Sequence, residues 1–345
     1  SAASDVYKRQ FMDILLLAPS FLNLYQDVIS ELERQGHFVE FIKDRSFEYD
    51  PCLIRNKRQS PMKEKIYGKI LKSYWKKKCP TIQTSKIDIL LVINGKSYHP
   101  YLKEYIKQKN PRLKVVLYLW DKTYQNYRFD KYFDSFDDVI TFDRVDAEKL
   151  NIRFLPCYWV PQFPTTNPTY DIFGFGTIRK DRYELFKSIW LSAQKLNLTS
   201  FVKLYQAPLS QSSYSKIKRS IKTLFKEKPE TYIADLITNK PLPPADFRSL
   251  ISNSRCVIDT YNTFQEGLTP RFMWALGAGC KIITTNKNCR DYAFYSPDYI
   301  YITDSTKPQI PKDFLLQEYR QPQNRIDIIN QYRIDNWLKQ ILRNV

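Results

Sequence analysis

From residue 13 onward the chain alternates short runs without a polar face with segments whose apolar residues recur every three or four positions. The runs are DILLLAP (Asp13–Pro19), HFVEFI (His37–Ile42), IDILLVING (Ile87–Gly95) and KVVLYLWD (Lys114–Asp121), followed by the shorter DVITFD (Asp138–Asp143) and RFLPCYW (Arg153–Trp159). Between them the spacing predicts helices over about Asn23–Gln35, Met62–Lys78 and Leu102–Gln108. Strands that are apolar on both faces, alternating with helices, imply a parallel sheet covered on both sides.

The pattern lapses at WVPQFPTTNP (Trp159–Pro168), which has three prolines and neither helical nor strand periodicity, and so marks a linker. A second α/β unit then begins with a strand at Tyr170–Phe175. That strand runs through Gly176-Thr177-Ile178-Arg179-Lys180-Asp181-Arg182 into a helix, placing one glycine, one hydroxyl and three cations at a strand-to-helix turn. Farther on, RCVID (Arg255–Asp259) reads as a buried strand, Thr269-Pro270 as the cap and first residue of a helix, and CKIITT (Cys280–Thr285) as the next strand, after a helix closed by Gly277 and Gly279. Loops that leave strands at helix starts are where ligands bind in open parallel sheets, and Arg271 beside such a start suits a diphosphate. The same grammar also serves any α/β core, and both readings stand on the pattern alone. The last segment, Asn324–Leu342, spaces Ile326, Ile329, Ile334, Trp337, Leu338 and Ile341 as an amphipathic helix.

These boundaries divide the chain into a non-native leader (1–11), an N-terminal Rossmann-like domain (12–158), a linker (159–169), a C-terminal Rossmann-like domain (170–323) and a terminal amphipathic helix (324–345) able to pack back across the junction. The leader is set apart because Asp5–Gln10 fits a reverse reading of a transposase sequencing adapter, and a strand opens naturally at Met12. The first turn, Ala18-Pro19-Ser20-Phe21, lacks G-x-G-x-x-G, which argues against NAD or FAD.

Composition narrows the class. At 345 residues and 43% hydrophobic, the chain can build two cores, and no apolar run approaches the roughly 20 residues that span a bilayer. Six cysteines without a C-x-x-C pair point to a reduced, cytoplasmic protein without structural zinc. Only His37 and His99 are present, and His37 opens a strand, where packing or capping suits it better than catalysis.

The two α/β halves, the proline-rich hinge, FGFGTIRKDR (Phe173–Arg182), and Q-x-G-L-T-x-R (Gln265–Arg271) followed by ALGAGCKIITTN (Ala275–Asn286) resemble GT-B glycosyltransferases. The likeness is to those of bacterial capsule, lipopolysaccharide and exopolysaccharide clusters, relatives of the spore-maturation type. The resemblance implies two Rossmann-like domains facing each other across a cleft, a nucleotide-sugar donor in the C-terminal domain and a surface-polysaccharide or lipid-linked glycan acceptor in the N-terminal one. It implies that Gly176, Thr177 and Arg179 lie under the diphosphate and that Gln265, Gly267, Leu268, Thr269 and Arg271 form the donor loop. Members carry a glutamate for the ribose three residues after the arginine. This chain has Trp274 there, which cannot accept a hydrogen bond, so ribose recognition moves to a residue such as Glu266 or donor binding weakens.

The chemistry can be read beside the resemblance. A departing nucleoside diphosphate needs its charge met, and no Asp-x-Asp is present to hold a metal. Arg179, Lys180, Arg271 and the helix start at Thr269 are expected to meet it without a divalent ion or other cofactor, each charge-assisted hydrogen bond contributing on the order of 1.5–3 kcal/mol. If configuration inverts, a carboxylate at an N-domain strand end serves as base: Asp121 first, which also reads as a turn or cap residue, and Asp143 second. Pro19, Ser20, Asn94 and Gly95 are expected to line the acceptor side.

The formal charge of +18, from 54 basic and 36 acidic residues, calls for a partner. Without a zinc-finger, RNP or helix-turn-helix signature, nucleic acid is the less favoured one. Met62–Lys78 sets seven lysines among apolar residues, as suits the inner face of an anionic membrane or an ordinary core-packed helix with a lysine face. Tyr214–Lys228 is a second such stretch. The leading function is glycosyl transfer. A catalytically silent sugar-nucleotide binder and a basic nucleic-acid-binding protein are the rivals.

Overall fold

A computed structural model describes residues 11–44, 61–83, 86–122, 129–161, 167–207, 232–261, 266–304, 308, 312–317 and 321–344. Residues 1–10 of the leader, residues 162–166 of the proline-rich stretch, Gln265 and the basic stretch 214–228 lie outside the described residues. The chain divides into two compact units, one of Ser1–Val160, Thr263–Leu268 and Asn330–Val345, the other of Pro161–Asn262 and Thr269–Ile329.

In chain order the first half contributes β1 (Asp13–Pro19), α1 (Leu24–Arg34), β2 (Phe38–Asp44), α2 (Pro61–Lys78), β3 (Ile89–Ile93), α3 (Pro100–Lys107), β4 (Lys114–Leu119), β5 (Asp138–Thr141), α4 (Arg144–Leu150) and β6 (Arg153–Phe154). Its strands form one parallel sheet in the order β2-β1-β3-β4-β5-β6. The strands without a polar face are the interior ones. β3 is buried at every position and β1 at all but its ends, whereas β2, at the edge, alternates. Helices cover the sheet through Leu102, Ile106 and Trp75, which join Leu15, Leu90 and Leu117 in one core.

The second half follows with β7 (Tyr170–Thr177), α5 (Lys180–Lys195), β8 (Ser200–Tyr205), β9 (Ile237–Thr238), α6 (Pro244–Ser252), β10 (Ser254–Asp259), α7 (Pro270–Gly277), β11 (Lys281–Thr284), β12 (Ile300–Ile302), α8 (Lys312–Leu316), α9 (Gln323–Asn330) and α10 (Ile334–Leu342). This sheet is also wholly parallel, in the order β12-β11-β10-β7-β8-β9. Ile172, Phe186, Ile258 and Ile283 anchor its core. The expected α/β architecture with two sheets is therefore the one present.

The single amphipathic helix expected at the C-terminus is two helices. The chain turns at residues 331–333, where Trp159 N donates to the Tyr332 carbonyl (3.1 Å) and Ile334 N donates to the Trp159 carbonyl (3.0 Å). α10 belongs to the first unit. It packs on α1, buries Trp337 against Tyr118 and receives Arg153 Nη1 at the Gln340 carbonyl, 2.7 Å. RFLPCYW yields only a two-residue strand, since Pro156 lacks the N–H a longer one needs.

Arg333 grips Asp335 at the start of α10 through two bonds of 2.7 Å, and this guanidinium holds the Asp335 carboxyl below its ordinary value. A carboxyl depressed in the folded state stabilises above its unfolded pKa, and that contribution is lost as pH falls through the folded value. Asp335→Asn is therefore expected to flatten the acid side of the stability curve while changing stability less as pH falls. Urea midpoints across acidic pH for both proteins check this, and parallel curves would contradict it.

Candidate functional site

In the second sheet the strand order reverses between β7 and β10, because β8 and β9 build outward from β7 on one side and β11 and β12 from β10 on the other. The carboxyl ends of β7 and β10 thus flank a crevice of the kind in which open α/β sheets bind ligands. Gly176, Thr177 and Arg179 lie at one lip. A Cβ at Gly176 would sit 2.8 Å from Arg182 Nη1, so glycine leaves room for that guanidinium. Arg182 in turn donates to the Thr177 carbonyl (2.7 Å) and to Thr260 Oγ1 (2.9 Å), fastening the ends of β7 and β10 together. Arg179 precedes α5 in extended conformation and donates through Nη2 to the Tyr261 carbonyl, 3.2 Å. Lys180, the first residue of α5, is exposed.

The other lip is built on Asp259, which closes β10 with no exposed surface. Its Oδ1 accepts from Thr269 Oγ1 (2.6 Å) and lies 3.9 Å from Arg271 Nε, while its Oδ2 accepts from Thr284 Oγ1 (3.2 Å). Thr269 also caps α7, accepting from Phe272 N at 3.1 Å, with Pro270 following at the first helical position. Arg271 Nη1 donates to the Ile258 carbonyl (3.2 Å), and its Nε is buried without a hydrogen-bond partner among the described residues. Burial pushes the Arg271 pKa down. Asp259 opposes that push and the nearby Arg179 charge adds to it. Two guanidinium groups that repel one another thus stand at the crevice with a helix N-terminus, a local excess of positive charge suited to a polyanion.

Trp274 lies one turn along α7 and is buried, edge-on to Phe247 (5.9 Å between centroids) with the Arg248 guanidinium 5.6 Å from its ring. Its Nε1 has no hydrogen-bond partner among the described residues. The position where the resemblance expects a ribose-binding carboxylate is therefore filled by a core indole.

In the first sheet the order reverses between β1 and β3, so Pro19, Ser20, Asn94 and Gly95 follow the two strand ends that flank that crevice. Asn94 and Gly95 take left-handed φ values of 61° and 72°. A left-handed asparagine is held when its surroundings over-determine it. Here Asn94 N donates to the Tyr118 carbonyl (2.9 Å), its Oδ1 accepts from Trp120 N (3.1 Å), and its Nδ2 donates to Asp121 Oδ2 (2.8 Å). Asp121 is half-buried and so retains a solvent-facing portion. Asp44, at the end of β2, is a buried carboxylate the sequence reading passes over. It accepts from Lys96 N (2.8 Å), Ser97 N (2.6 Å) and Ser97 Oγ (2.6 Å), tying the loop after Gly95 to the sheet, and burial raises its pKa.

Asp143 does not offer the solvent-facing carboxylate expected of a base. It has no exposed surface, caps α4 by accepting from Asp146 N (3.1 Å), and through Oδ2 accepts from Glu266 N (2.8 Å) and Gly267 N (3.2 Å). Its role is to hold the Glu266–Gly267 backbone. Lys122 Nζ lies 3.8 Å from Asp143 Oδ1 and 3.6 Å from Glu266 Oε1, so the Glu266 carboxylate already has a cation beside it. Gly267 allows this seat, because a Cβ there would meet the Phe142 ring at 2.4 Å and its carbonyl oxygen at 2.9 Å. Leu268 is buried. Gln265 falls outside the described residues. Both histidines bind backbone: His37 Nδ1 accepts from Met12 N, and His99 caps α3 by accepting from Tyr101 N.

No known family model matches the chain, and neither does any curated protein. Solved structures do. An α,α-trehalose 6-phosphate synthase from Burkholderia multivorans is similar with a TM-score of 0.56 and 8% identity, over 97% of this chain and 98% of that one. A UDP-GlcNAc 2-epimerase from Neisseria meningitidis, bound to UDP-GlcNAc, is similar with a TM-score of 0.50 and 13% identity, over 96% of this chain and 99% of that one. At these identities the likeness establishes the fold, the α/β arrangement of two parallel sheets known as GT-B. No helix among the described residues is long and apolar enough to cross a membrane.

Proposed function

We propose that this chain is a GT-B glycosyltransferase that moves a sugar from a nucleotide-sugar donor to a surface-polysaccharide or lipid-linked glycan acceptor at the inner face of a bacterial cytoplasmic membrane. The observation that carries the reading is the pair Arg179 and Arg271 beside the α7 N-terminus at the β7–β10 switch point. Glycosyl transfer from such a donor breaks the bond between the anomeric carbon and the diphosphate oxygen, and the negative charge grows on that oxygen. Arg179, Arg271 and the amides at the start of α7 are placed to stabilise it.

Asp121 is our choice of base for an inverting transfer, taking the proton of the acceptor hydroxyl as its oxygen attacks. Asn94 holds one carboxylate oxygen through its amide and so fixes how the carboxyl is turned. Asp121→Asn is expected to lower kcat by about 10²–10⁴-fold and Asn94→Ala by a smaller factor, with the donor Kd unchanged in both. Steady-state rates paired with calorimetric donor titration check this, and full turnover in Asp121→Asn would remove it from the chemistry.

We also propose that the arginines and the helix start meet the leaving-group charge without a divalent ion. Turnover is expected to be the same with and without EDTA, and a loss that Mg²⁺ restores would overturn the idea. The buried indole at Trp274 supports one rival, a homologue that binds sugar nucleotide without transferring it. Nucleotide binding with no product from any acceptor, under conditions where Asp121→Asn changes nothing, would favour that rival.

A further inference from the structure

We infer that α2 is a membrane-docking helix, seating the first unit on a bilayer that carries anionic headgroups. The helix has two faces. Leu71 and Trp75 are buried, with Tyr67, Tyr74 and Lys78 half-buried beside them. Opposite, at 3.6 residues per turn, Met62, Lys65, Ile66, Lys69, Lys72, Ser73, Lys76 and Lys77 fall within an arc of about 140°, and all eight are exposed. Five of the eight are lysines and no acidic residue falls in the arc. Packing of the core explains the first face and leaves the second unexplained.

Met62 and Ile66 set the occupant. They are 71% and 46% exposed and one turn apart on the lysine face, so two large apolar side chains stand beside each other among the cations. An anionic bilayer accounts for both kinds of residue, since headgroups attract the lysines while the two apolar side chains enter the acyl boundary. A nucleic acid accounts for the lysines alone. The helix does not span, because no helix among the described residues is apolar enough to do so.

The position of α2 ties this surface to the acceptor side. Trp75 Nε1 donates to the Ser97 carbonyl (2.7 Å) and the Tyr67 hydroxyl to that of Lys96 (3.4 Å). These are the residues that follow Asn94 and Gly95, and Asp44 grips their amides from beneath. A helix lying on the membrane is thus bolted to the loop we assign to the acceptor, which suits an acceptor presented by a lipid. The inference rests on the proposed function only for that last link.

The test is co-sedimentation of the full chain with vesicles of phosphatidylcholine alone or with one third phosphatidylglycerol, at low and high salt. Binding is expected only to the anionic vesicles and is expected to weaken as salt rises. Each lysine near the surface contributes on the order of fivefold in partitioning, so the triple change Lys69→Glu, Lys72→Glu and Lys76→Glu is expected to reduce binding by on the order of 100-fold. Met62→Ser with Ile66→Ser is expected to reduce it by about tenfold or more. All five side chains are exposed, and unchanged thermal unfolding verifies that the variants fold. Equal binding to neutral vesicles, or none to anionic ones, overturns the inference, as does RNA retention that ignores the Met62/Ile66 pair in a protein that does not bind vesicles. Nucleotide binding, measured in the same preparation without lipid, reports separately on the donor reading.

Discussion

Asp259→Ala is expected to lower the stability of the second unit by about 3–5 kcal/mol, the largest effect of any single change at the crevice. The carboxylate has no exposed surface and joins three elements: the end of β10, the cap of α7 through Thr269, and β11 through Thr284. Removing it strands two hydroxyls and leaves the Arg271 guanidinium buried beside a second cation, Arg179, with the nearer counter-charge gone. An unpartnered buried charge costs more than the hydrogen bonds themselves. Asp259→Asn keeps an acceptor for one hydroxyl and is expected to lose less, and Thr284→Val about 1 kcal/mol. Urea unfolding followed by a probe in the second unit distinguishes the three, and an unchanged midpoint for Asp259→Ala would show that the knot contributes nothing.

Loss of donor affinity is the second large effect expected. Each charge-assisted hydrogen bond to a diphosphate is worth roughly 1.5–3 kcal/mol, so Arg179→Ala and Arg271→Ala are each expected to weaken binding by about 10–150-fold. If the two cations hold one ligand, as proposed, the double change is not expected to equal the product of the singles. Arg271→Lys is expected to recover little. A guanidinium can bond the Ile258 carbonyl with one nitrogen and a ligand with another, whereas an ammonium on a flexible stem lacks that planar fork. Calorimetric titration with a nucleoside diphosphate reads these differences directly. Equal affinity in the wild type and Arg179→Ala would place the diphosphate elsewhere.

The sheets were legible because their signal is local. Runs such as Ile87–Ile93 announce interior strands by composition alone, and Thr269-Pro270 marks the start of α7 by cap chemistry that involves only neighbours along the chain. What stayed hidden depends on partners far apart in sequence. RCVID shows that Asp259 ends a strand, yet nothing nearby says that Thr284, twenty-five residues on, will bond to it. Asp143 looked like Asp121, since both follow apolar strands. The difference comes from Glu266 and Gly267, whose amides take Asp143 out of solvent, and from Asn94, which turns Asp121 without enclosing it. The C-terminal periodicity likewise ran unbroken through residues 331–333, where pairing with Trp159 breaks the helix.

The donor site is most directly tested by thermal unfolding of the full chain against a panel of nucleoside diphosphates and their sugar conjugates, with Arg271→Ala alongside. A ligand that binds only the folded state raises the melting temperature, because at free concentration c it stabilises that state by RT ln(1 + c/Kd). One nucleotide is expected to raise it in the wild type and to lose that effect in Arg271→Ala. No shift with any nucleotide, or the same shift in the variant, would contradict a donor site at the β7–β10 crevice.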